Sequence, residues 1–160
     1  MTLPKLFIGS STEGLTLAQG LRVGLSHDYD AHLWTEGIFR PSSIPIVDLA
    51  EATSKFEVAV FVFTPDDLVE SRDKVSFAVR DNVLFELGLF MGLLGLQRTF
   101  FVVPRGEKDL HLPSDLHGVQ PLEYIFDRGA HPTHMMGNAI SELSMRKAAI
   151  LATPKAYTRL

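Results

Sequence analysis

The run Glu57–Thr64, EVAVFVFT, constrains the fold more than any other stretch of this 160-residue chain. It is apolar at nearly every position and rich in β-branched residues. It lacks the polar and apolar alternation of a strand that faces solvent on one side. Continuous runs of this kind are typical of strands covered on both faces, which occur in parallel sheets. The sequence therefore predicts an α/β protein.

Four shorter apolar runs predict the remaining strands, and segments of helical periodicity separate them. The strands are expected at Leu6–Gly9, Ala31–Thr35, Thr99–Val103 and Leu122–Phe126, and the helices at Glu13–Leu25, Ile46–Lys55, from about Asp81, and at Met135–Leu151. Two stretches are predicted to be loops by composition, Glu36–Pro45 and Pro65–Val79. This alternation predicts a flavodoxin-like, five-stranded parallel sheet with helices on both faces. In such folds ligands bind at the carboxyl ends of the strands, near the point where the strand order reverses.

Composition limits the classes of function. The chain is 46% apolar and 21% charged, with a net charge of -4 and no cysteine. No basic run provides the electrostatic footprint of a nucleic-acid binder. The absence of cysteine excludes disulfides, thiolate metal sites and cysteine nucleophiles, and agrees with a cytoplasmic location. No stretch reaches the ~20 apolar residues of a membrane span. We expect one domain over residues 1–151 and a tail, or the start of a linker, over 152–160.

Glu86 is the anomaly of the sequence. It interrupts RDNVLFELGLFMGLLGL, Arg80–Leu96, an apolar stretch whose helix should be buried on every side. A carboxylate in apolar surroundings is costly unless it is paired, so either Glu86 reaches a polar pocket or its pKa is raised. Asn82 precedes it by four residues, which places both on nearly the same helix face. The alternative is that Glu86 extends to solvent or caps a neighbouring strand.

The turn after the first strand is rich in hydroxyl groups. GSSTEGLT, Gly9–Thr16, contains Ser10 and Ser11 and has three interpretations: a flavin phosphate loop, a site for another nucleotide, or plain capping of the next helix by Ser11 or Thr12. A response-regulator receiver would need an acidic cluster after the first strand and a lysine after the fifth. The chain has neither.

Other candidate residues have weaker patterns. His131 and His134 have metal-ligand spacing, but Pro132 between them argues against a helical ligand pair, and we expect no metal site. Asp66 and Asp67 are either metal ligands or members of a solvated charge cluster. Trp34, the single tryptophan, ends a strand beside a loop, where it either packs at the rim of the core or stacks on a ligand.

A lone carboxylate suits one reaction in particular. Cleavage of the nicotinamide–ribose bond of NAD+ expels a neutral leaving group, so no general acid is required. The transition state resembles an oxocarbenium ion, and one carboxylate can stabilise that positive charge or orient the ribose hydroxyls. Glu86 has the chemistry for this role.

Six motifs in order, over about Lys5–Gln120, resemble a known family. They are KLFIGSSTEGL, LWTEGIF, FVFTPDD, RDNVLFELGLFMGLLG, TFFVVPRG and LPSDLHGV. Together they are similar to the predicted nucleotide-binding, TIR-like domain family of bacterial anti-phage systems. The resemblance implies a TIR-like fold and NAD+ glycohydrolase activity that depletes cellular NAD+ in abortive infection. NAD+ would be the substrate, and no cofactor is implied.

The resemblance also assigns residues and partners. The family's catalytic glutamate corresponds to Glu86, and Ser10, Ser11, Phe39 and Arg40 would by the same likeness border the NAD+ site. Trp34 is a further candidate for contact with NAD+, from its position alone. Arg80 and Asn82 belong to the same motif as Glu86, with roles left open. Family members act when assembled side by side into oligomers or filaments, and many are fused to a STING-type cyclic-dinucleotide sensor. For this protein, such a sensor would belong to the same chain or to another chain. The product would be nicotinamide with linear or cyclic ADP-ribose.

Two other functions remain open. TIR domains also serve as self-associating adaptors without enzyme activity, and an exposed pair of apolar residues, Ile38 and Phe39, would suit such a contact. Nucleoside 2-deoxyribosyltransferases have a related fold and also place a carboxylate at a glycosidic bond. The complete motif around Glu86 disfavours the adaptor, and base exchange without NAD+ consumption would reveal the transferase.

Overall fold

The fold of the chain was analysed in a computed structural model, which describes residues 2–38, 41, 44–71, 74–107 and 110–156. Phe39 and Arg40 lie outside these residues. The strands are β1 Lys5–Ser10, β2 Asp30–Leu33, β3 Val58–Val62, β4 Asp67–Ser71, β5 Lys74–Ala78, β6 Thr99–Pro104, β7 Leu110–His111 and β8 Leu122–Tyr124. The helices are α1 Leu15–Leu25, α2 Pro45–Thr53, α3 Asp81–Leu94, α4 Pro132–Met135, α5 Gly137–Met145 and α6 Lys147–Ala152, with a 3₁₀ turn at Ser114–Leu116.

The main sheet has five strands in the order β2-β1-β3-β6-β8, and all its pairings are parallel. The chain runs outward from β1 to β2 and then crosses to β3 on the other side of β1. The strand order therefore reverses between β1 and β3, which is the topological switch point. This order confirms the flavodoxin-like prediction, and it directs attention to the residues that follow β1 and β3.

Successive side chains of the central strands enter two separate apolar clusters, one on each face of the sheet. Ile8 and Val60 belong to the cluster covered by α1 and α5. Phe7 and Phe61 belong to the cluster covered by α2 and α3. Because both faces of β1 and β3 are buried, these strands carry continuous apolar runs rather than an alternating pattern.

The prediction of an irregular loop at Pro65–Val79 was wrong. Asp67–Ser71 and Lys74–Ala78 form an antiparallel hairpin, β4 and β5, and β7 adds to β5 to make a second sheet of three strands. This small sheet is not covered on both faces, since Val75 in β5 is 60% exposed. Its strands therefore carry charged residues, and the continuous apolar pattern that marks the main sheet is missing.

The predicted closing helix at Met135–Leu151 is broken into α4, α5 and α6 and begins earlier, at Pro132. Pro132 occupies the first turn of α4, where its missing N–H costs nothing. The Nδ1 atom of His131 accepts a hydrogen bond from the N–H of Thr133 at 3.2 Å and caps this helix. His131 thus has a structural role at the start of α4.

Helix α3 is not buried on every side, contrary to the expectation from its composition. Val83, Leu87, Phe90 and Leu94 face the sheet, but Phe85 is 54% exposed and Leu96, just beyond the helix, is 60% exposed. A Cβ atom built on Gly88 or Gly92 would meet nothing within 4 Å, so these glycines do not serve close packing within the described chain. One apolar face of α3 is therefore open. No helix among the described residues is long and apolar enough to cross a bilayer.

Arg98 joins the end of α6 to the base of the sheet. Its guanidinium donates to the carbonyl of Leu151 at 2.9 Å and, through Nε, to that of Thr153 at 2.9 Å. It also donates to the carbonyl of Glu57 at 3.0 Å. The N–H of Ala156 donates to the carbonyl of Leu94 at the end of α3. The described part of the segment that follows α6 is thus bound to the domain.

Candidate functional site

Hydroxyl groups bridge the topological switch point at the carboxyl edge of the sheet. Ser11 follows β1 and Thr64 follows β3, and their hydroxyl oxygens lie 3.0 Å apart, with either able to donate. The indole Nε1–H of Trp34, after β2, donates to the Oγ of Ser10 at 3.0 Å. Ser10, Ser11 and Thr64 are all buried. Three neighbouring strands therefore end in one hydrogen-bonded polar group.

Ser11 or Thr12 was predicted to cap helix α1, but neither is its N-cap residue. Helix α1 begins at Leu15 and its N-cap is Gly14, which carries no capping side chain. The Oγ of Ser11 instead accepts a hydrogen bond from the N–H of Gly14 at 3.2 Å, one turn before the helix. Ser11 thus supports the turn while its hydroxyl also contacts Thr64.

Arg80, the N-cap residue of α3, is held by two carboxylates. Its Nη2 donates to Oε1 of Glu13 at 2.6 Å, and its Nη1 lies 3.0 Å from Oδ1 of Asp67. Hydrogen bonding to Glu13 is the main cause that raises the pKa of Arg80. Arg80 therefore connects the turn after β1 to the hairpin that follows β3.

Glu86 lies in the second turn of α3 and is half-buried, whereas Asn82 is exposed in the first turn. Within the described residues, no hydrogen bond or ion pair reaches the Glu86 carboxyl. Burial raises its pKa to about 7 from the ordinary value of 4.5. A raised pKa is what the sequence predicts for a carboxyl in apolar surroundings. With a pKa of about 7, both protonation states of Glu86 are populated near neutral pH.

Trp34 and α3 belong to the same side of the molecule. Trp34 is half-buried and packs against the apolar cluster that includes Val83 and Leu87. These two residues precede and follow Glu86 in the sequence of α3 and lie on its buried face. Ile38 packs against this cluster too and is not the exposed residue that an adaptor contact would need. Phe39 and Arg40 cannot be placed, because they lie outside the described residues.

Thr64 and Glu13 were missed as site residues by sequence reasoning, and Asp67 was considered only as a metal ligand or as a member of a solvated charge cluster. Thr64 is the last residue of the run EVAVFVFT, and a hydroxyl at the carboxyl end of a buried strand was a usable signal. The roles of Glu13 and Asp67 depend on Arg80, which is distant in sequence. No group of three or more potential metal ligands occurs among the described residues.

The chain matches one protein family and several known members of it. The profile of the family described as "CAP12/Pycsar effector protein, TIR domain" matches residues 5–125. The Pycsar effector protein PaPycTIR of Pseudomonas aeruginosa is 42% identical over 120 residues, which are 74% of this chain and 39% of that protein. CD-NTase-associated protein 12 of Lachnospiraceae bacterium (strain RUG226) is 38% identical over 120 residues, 75% of this chain and 37% of that protein.

A third relative is similar over more of the chain. The Pycsar effector protein XpPycTIR of Xanthomonas perforans is 37% identical over 140 residues, 87% of this chain and 46% of that protein. The chain thus spans less than half the length of these relatives. Among solved structures, a diflavin flavoprotein A3 from Nostoc sp. superposes with a TM-score of 0.45 at 13% identity, over 92% of this chain and 96% of that one. The fold assignment rests on the strand order and not on this match.

Proposed function

This chain belongs to the family of CAP12/Pycsar effector TIR domains, and we propose that it cleaves NAD+ between nicotinamide and ribose. The observation that carries the proposal is Glu86, a half-buried carboxyl with a raised pKa on a helix that begins near the carboxyl edge of the sheet. The nicotinamide leaves as a neutral molecule, so the protein needs to stabilise only the positive charge that develops on the ribose.

The electrostatics of Glu86 suit that task. A carboxylate removed from water interacts more strongly with a nearby positive charge than one in solvent. The pyridinium of bound NAD+ would favour the ionised form of Glu86 and lower its pKa on binding. The expelled nicotinamide carries no such charge. Glu86 would therefore be ionised when substrate is bound and would take up a proton more readily after cleavage.

The hydroxyl group at the switch point supports binding of a nucleotide. Ser10, Ser11 and Thr64 lie where ligands of doubly wound sheets bind. Arg80 is bound to Glu13 in the turn after β1 and to Asp67 in the hairpin after β3, and it would contact the pyrophosphate after release from one of these carboxylates. Trp34 would form one wall through its indole, and Asn82 would approach the ligand from the first turn of α3.

Assembly is the second part of the proposal. We expect the domain to act as an effector of bacterial antiviral defence that becomes active when copies associate in response to a cyclic-nucleotide signal received elsewhere in the protein or by a partner. The open apolar face of α3, with Phe85 and Leu96, favours self-association. The same face also favours the alternative of an adaptor without enzyme activity.

The deciding measurement is nicotinamide release by concentrated protein supplied with NAD+. The parent protein should release nicotinamide, with a rate per molecule that rises steeply with protein concentration or crowding. Glu86→Ala should abolish release while its circular dichroism spectrum remains native. Absence of release from the parent under forced dimerisation, with association still present, would support the adaptor instead.

A further inference from the structure

Helix α3 leaves an uncharged strip of surface open to solvent. Phe85 is exposed, and a Cβ atom at Gly88 or Gly92 would meet nothing within 4 Å. These three residues recur at intervals of three and four, so they share one face of the helix, which we call the outer face of α3. Leu96, also exposed, follows the helix at its C-terminal end. Soluble domains seldom expose contiguous apolar surface unless it binds something.

The two glycines of the outer face have no packing role inside the described chain. Glycine weakens the interior of a helix relative to alanine, because it loses more backbone freedom on folding. At Gly20 that loss has a visible reason, since a Cβ there would lie 2.5 Å from the carbonyl carbon of Pro132. At Gly88 and Gly92 no described atom needs the space. The close approach of another molecule would account for both glycines.

The charge of α3 favours a second copy of this chain as that molecule. In a two-fold interface each surface meets its own copy, so a charged residue near the centre would oppose a like charge. From Val83 to Leu94 the only charged residue is Glu86, which is half-buried and does not belong to the outer face. Self-pairing therefore meets no like-charge repulsion there, and an acidic or basic partner would find no opposite charge.

The spacing of the glycines gives the geometry of the pair. If two α3 helices cross antiparallel about the midpoint of Gly88 and Gly92, Gly88 of one copy faces Gly92 of the other. The missing side chains allow the two backbones to approach closely, and the antiparallel arrangement opposes the helix dipoles favourably. Phe85 then extends toward the C-terminal end of the second helix, where Leu96 is exposed.

The size of the outer face predicts a weak contact. Helix α3 has 14 residues, which makes it about 21 Å long and, with its side chains, about 10 Å wide. Pairing along it buries a few hundred Å² from each copy, less than the roughly 800 Å² per partner of a stable complex. Two copies should therefore pair when they are concentrated and separate on dilution.

We propose that the outer face of α3 is a two-fold contact between copies of this chain, and that the second copy completes the site by covering the solvent side of Glu86. Glu86 directly follows Phe85, so a helix packed on Phe85 excludes water from the neighbouring carboxylate. Such a carboxylate interacts more strongly with a developing positive charge. The inference rests on the proposed function, since it takes Glu86 to act on NAD+, and it names the surface through which assembly activates the domain.

The first test uses the absence of cysteine from the chain, which removes any background of cross-links. Gly88→Cys and Gly92→Cys proteins are oxidised mildly, each alone and mixed. The mixture should cross-link about fivefold faster than either variant alone, because facing positions bring the Cα atoms within the ~7 Å that a disulfide spans. Val23→Cys, exposed on α1, is the control and should cross-link slowly. Equal rates for the mixture and the control would overturn the contact.

The second test introduces complementary charges. Gly92→Lys and Gly88→Glu should each fold at least as stably as the parent, since lysine and glutamate favour a helix more than glycine does. Alone, each variant should need about tenfold more protein for half-maximal association and nicotinamide release, because a charge is desolvated in the contact. Mixed, they place lysine opposite glutamate and should recover parental association and release. Val23→Lys should change neither.

The two readouts separate the contact from the reaction. If cross-linking and charge recovery occur without nicotinamide release, the contact stands and the proposed reaction is wrong. If release rises with concentration equally in the parent and in Gly92→Lys, and the mixture does not cross-link, the reaction stands and the contact is wrong. A melting temperature several degrees lower for Gly92→Lys in dilute solution would also overturn the contact, because the outer face would then be covered within a single chain.

Discussion

The Nη2 atom of Arg80 lies 2.6 Å from the Oε1 atom of Glu13, although 67 positions separate the two residues. The pair joins the N-terminus of α3 to the turn between β1 and α1. It occupies the guanidinium that we propose to bind the pyrophosphate of NAD+. Under that proposal, an incoming anion competes with a carboxylate of the protein for the same donor.

Removal of that competition gives the first prediction. Glu13→Gln keeps the shape of the side chain but removes its charge, so Arg80 becomes more available to a nucleotide. We expect KM for NAD+ to fall by about two- to fivefold, the range for an exposed ion pair, with kcat unchanged. Steady-state kinetics at low ionic strength would measure it. An increase in KM would show instead that the pair holds the site in its binding shape.

The raised pKa of Glu86 predicts the pH dependence of the reaction. Burial raises that pKa to about 7, and the ionised form is the one that stabilises positive charge. The ratio kcat/KM should therefore fall by about tenfold per pH unit below pH 7, because it reports ionisation in the free protein. The measurement is nicotinamide release between pH 4 and pH 9. A profile that stays flat down to pH 4 would contradict the role of Glu86.

The same group predicts the pH dependence of stability. The folded protein binds the Glu86 proton more tightly than the unfolded chain, so the stabilisation from protonated Glu86 is present below about pH 4.5 and is lost as the pH rises through 7. Glu86→Gln stays neutral and should be more stable than the parent at pH 8, by about 1–2 kcal/mol after allowance for partial exposure. Urea unfolding at pH 5 and pH 8 would measure this. Equal differences at both pH values would argue against a buried, titrating Glu86.

Two helix glycines provide a matched pair of substitutions. A Cβ at Gly20 would lie 2.5 Å from the carbonyl carbon of Pro132, whereas a Cβ at Gly88 would meet nothing within 4 Å. Gly20→Ala should therefore destabilise the protein by about 1–3 kcal/mol, through the clash between α1 and α4. Gly88→Ala should stabilise it by about 0.5–1 kcal/mol, through helix propensity. Thermal unfolding of both variants would reveal the opposite signs; destabilisation by Gly88→Ala would mean that the outer face of α3 is covered.

Arg98 gives a stability prediction at the opposite end of the sheet. It is 6% exposed, and its loss would leave the carbonyls of Leu151 and Thr153 without donors. Arg98→Met should lower the free energy of unfolding by about 3–5 kcal/mol. The control is Arg105→Met, since Arg105 forms an exposed pair with Glu123 and should contribute about 0.5 kcal/mol or less. Similar losses for the two variants would contradict this account of Arg98.

The main sheet was predictable because burial on both faces leaves a simple trace in sequence. Glu57–Thr64 and Thr99–Val103 are continuous apolar runs, and their strands lie within one or two residues of the predicted bounds. The hairpin of β4 and β5 was not predictable from the same signal. Its strands are stabilised by pairing with each other and with β7, and pairing between backbones leaves no periodic pattern in the side chains.

Single residues of the candidate site are recognisable in the sequence, but their arrangement is not. Ser10, Ser11 and Glu86 stood out because a hydroxyl turn follows a strand and because an acid interrupts an apolar helix. The contact of Ser11 with Thr64 spans 53 positions and depends on which strand lies beside β1. Strand order is a property of the whole fold, so no local pattern contains it.

The paired hydroxyls of Ser11 and Thr64 have a consequence for the protons between them. Ser11 accepts from the N–H of Gly14, and the proton between the two hydroxyl oxygens can belong to either one. Rotation of two light O–H bonds would reverse the direction of the bridge without moving a heavier atom. At the carboxyl edge of the sheet, the same two residues can therefore offer a ligand either a donor or an acceptor, as water molecules do in ice.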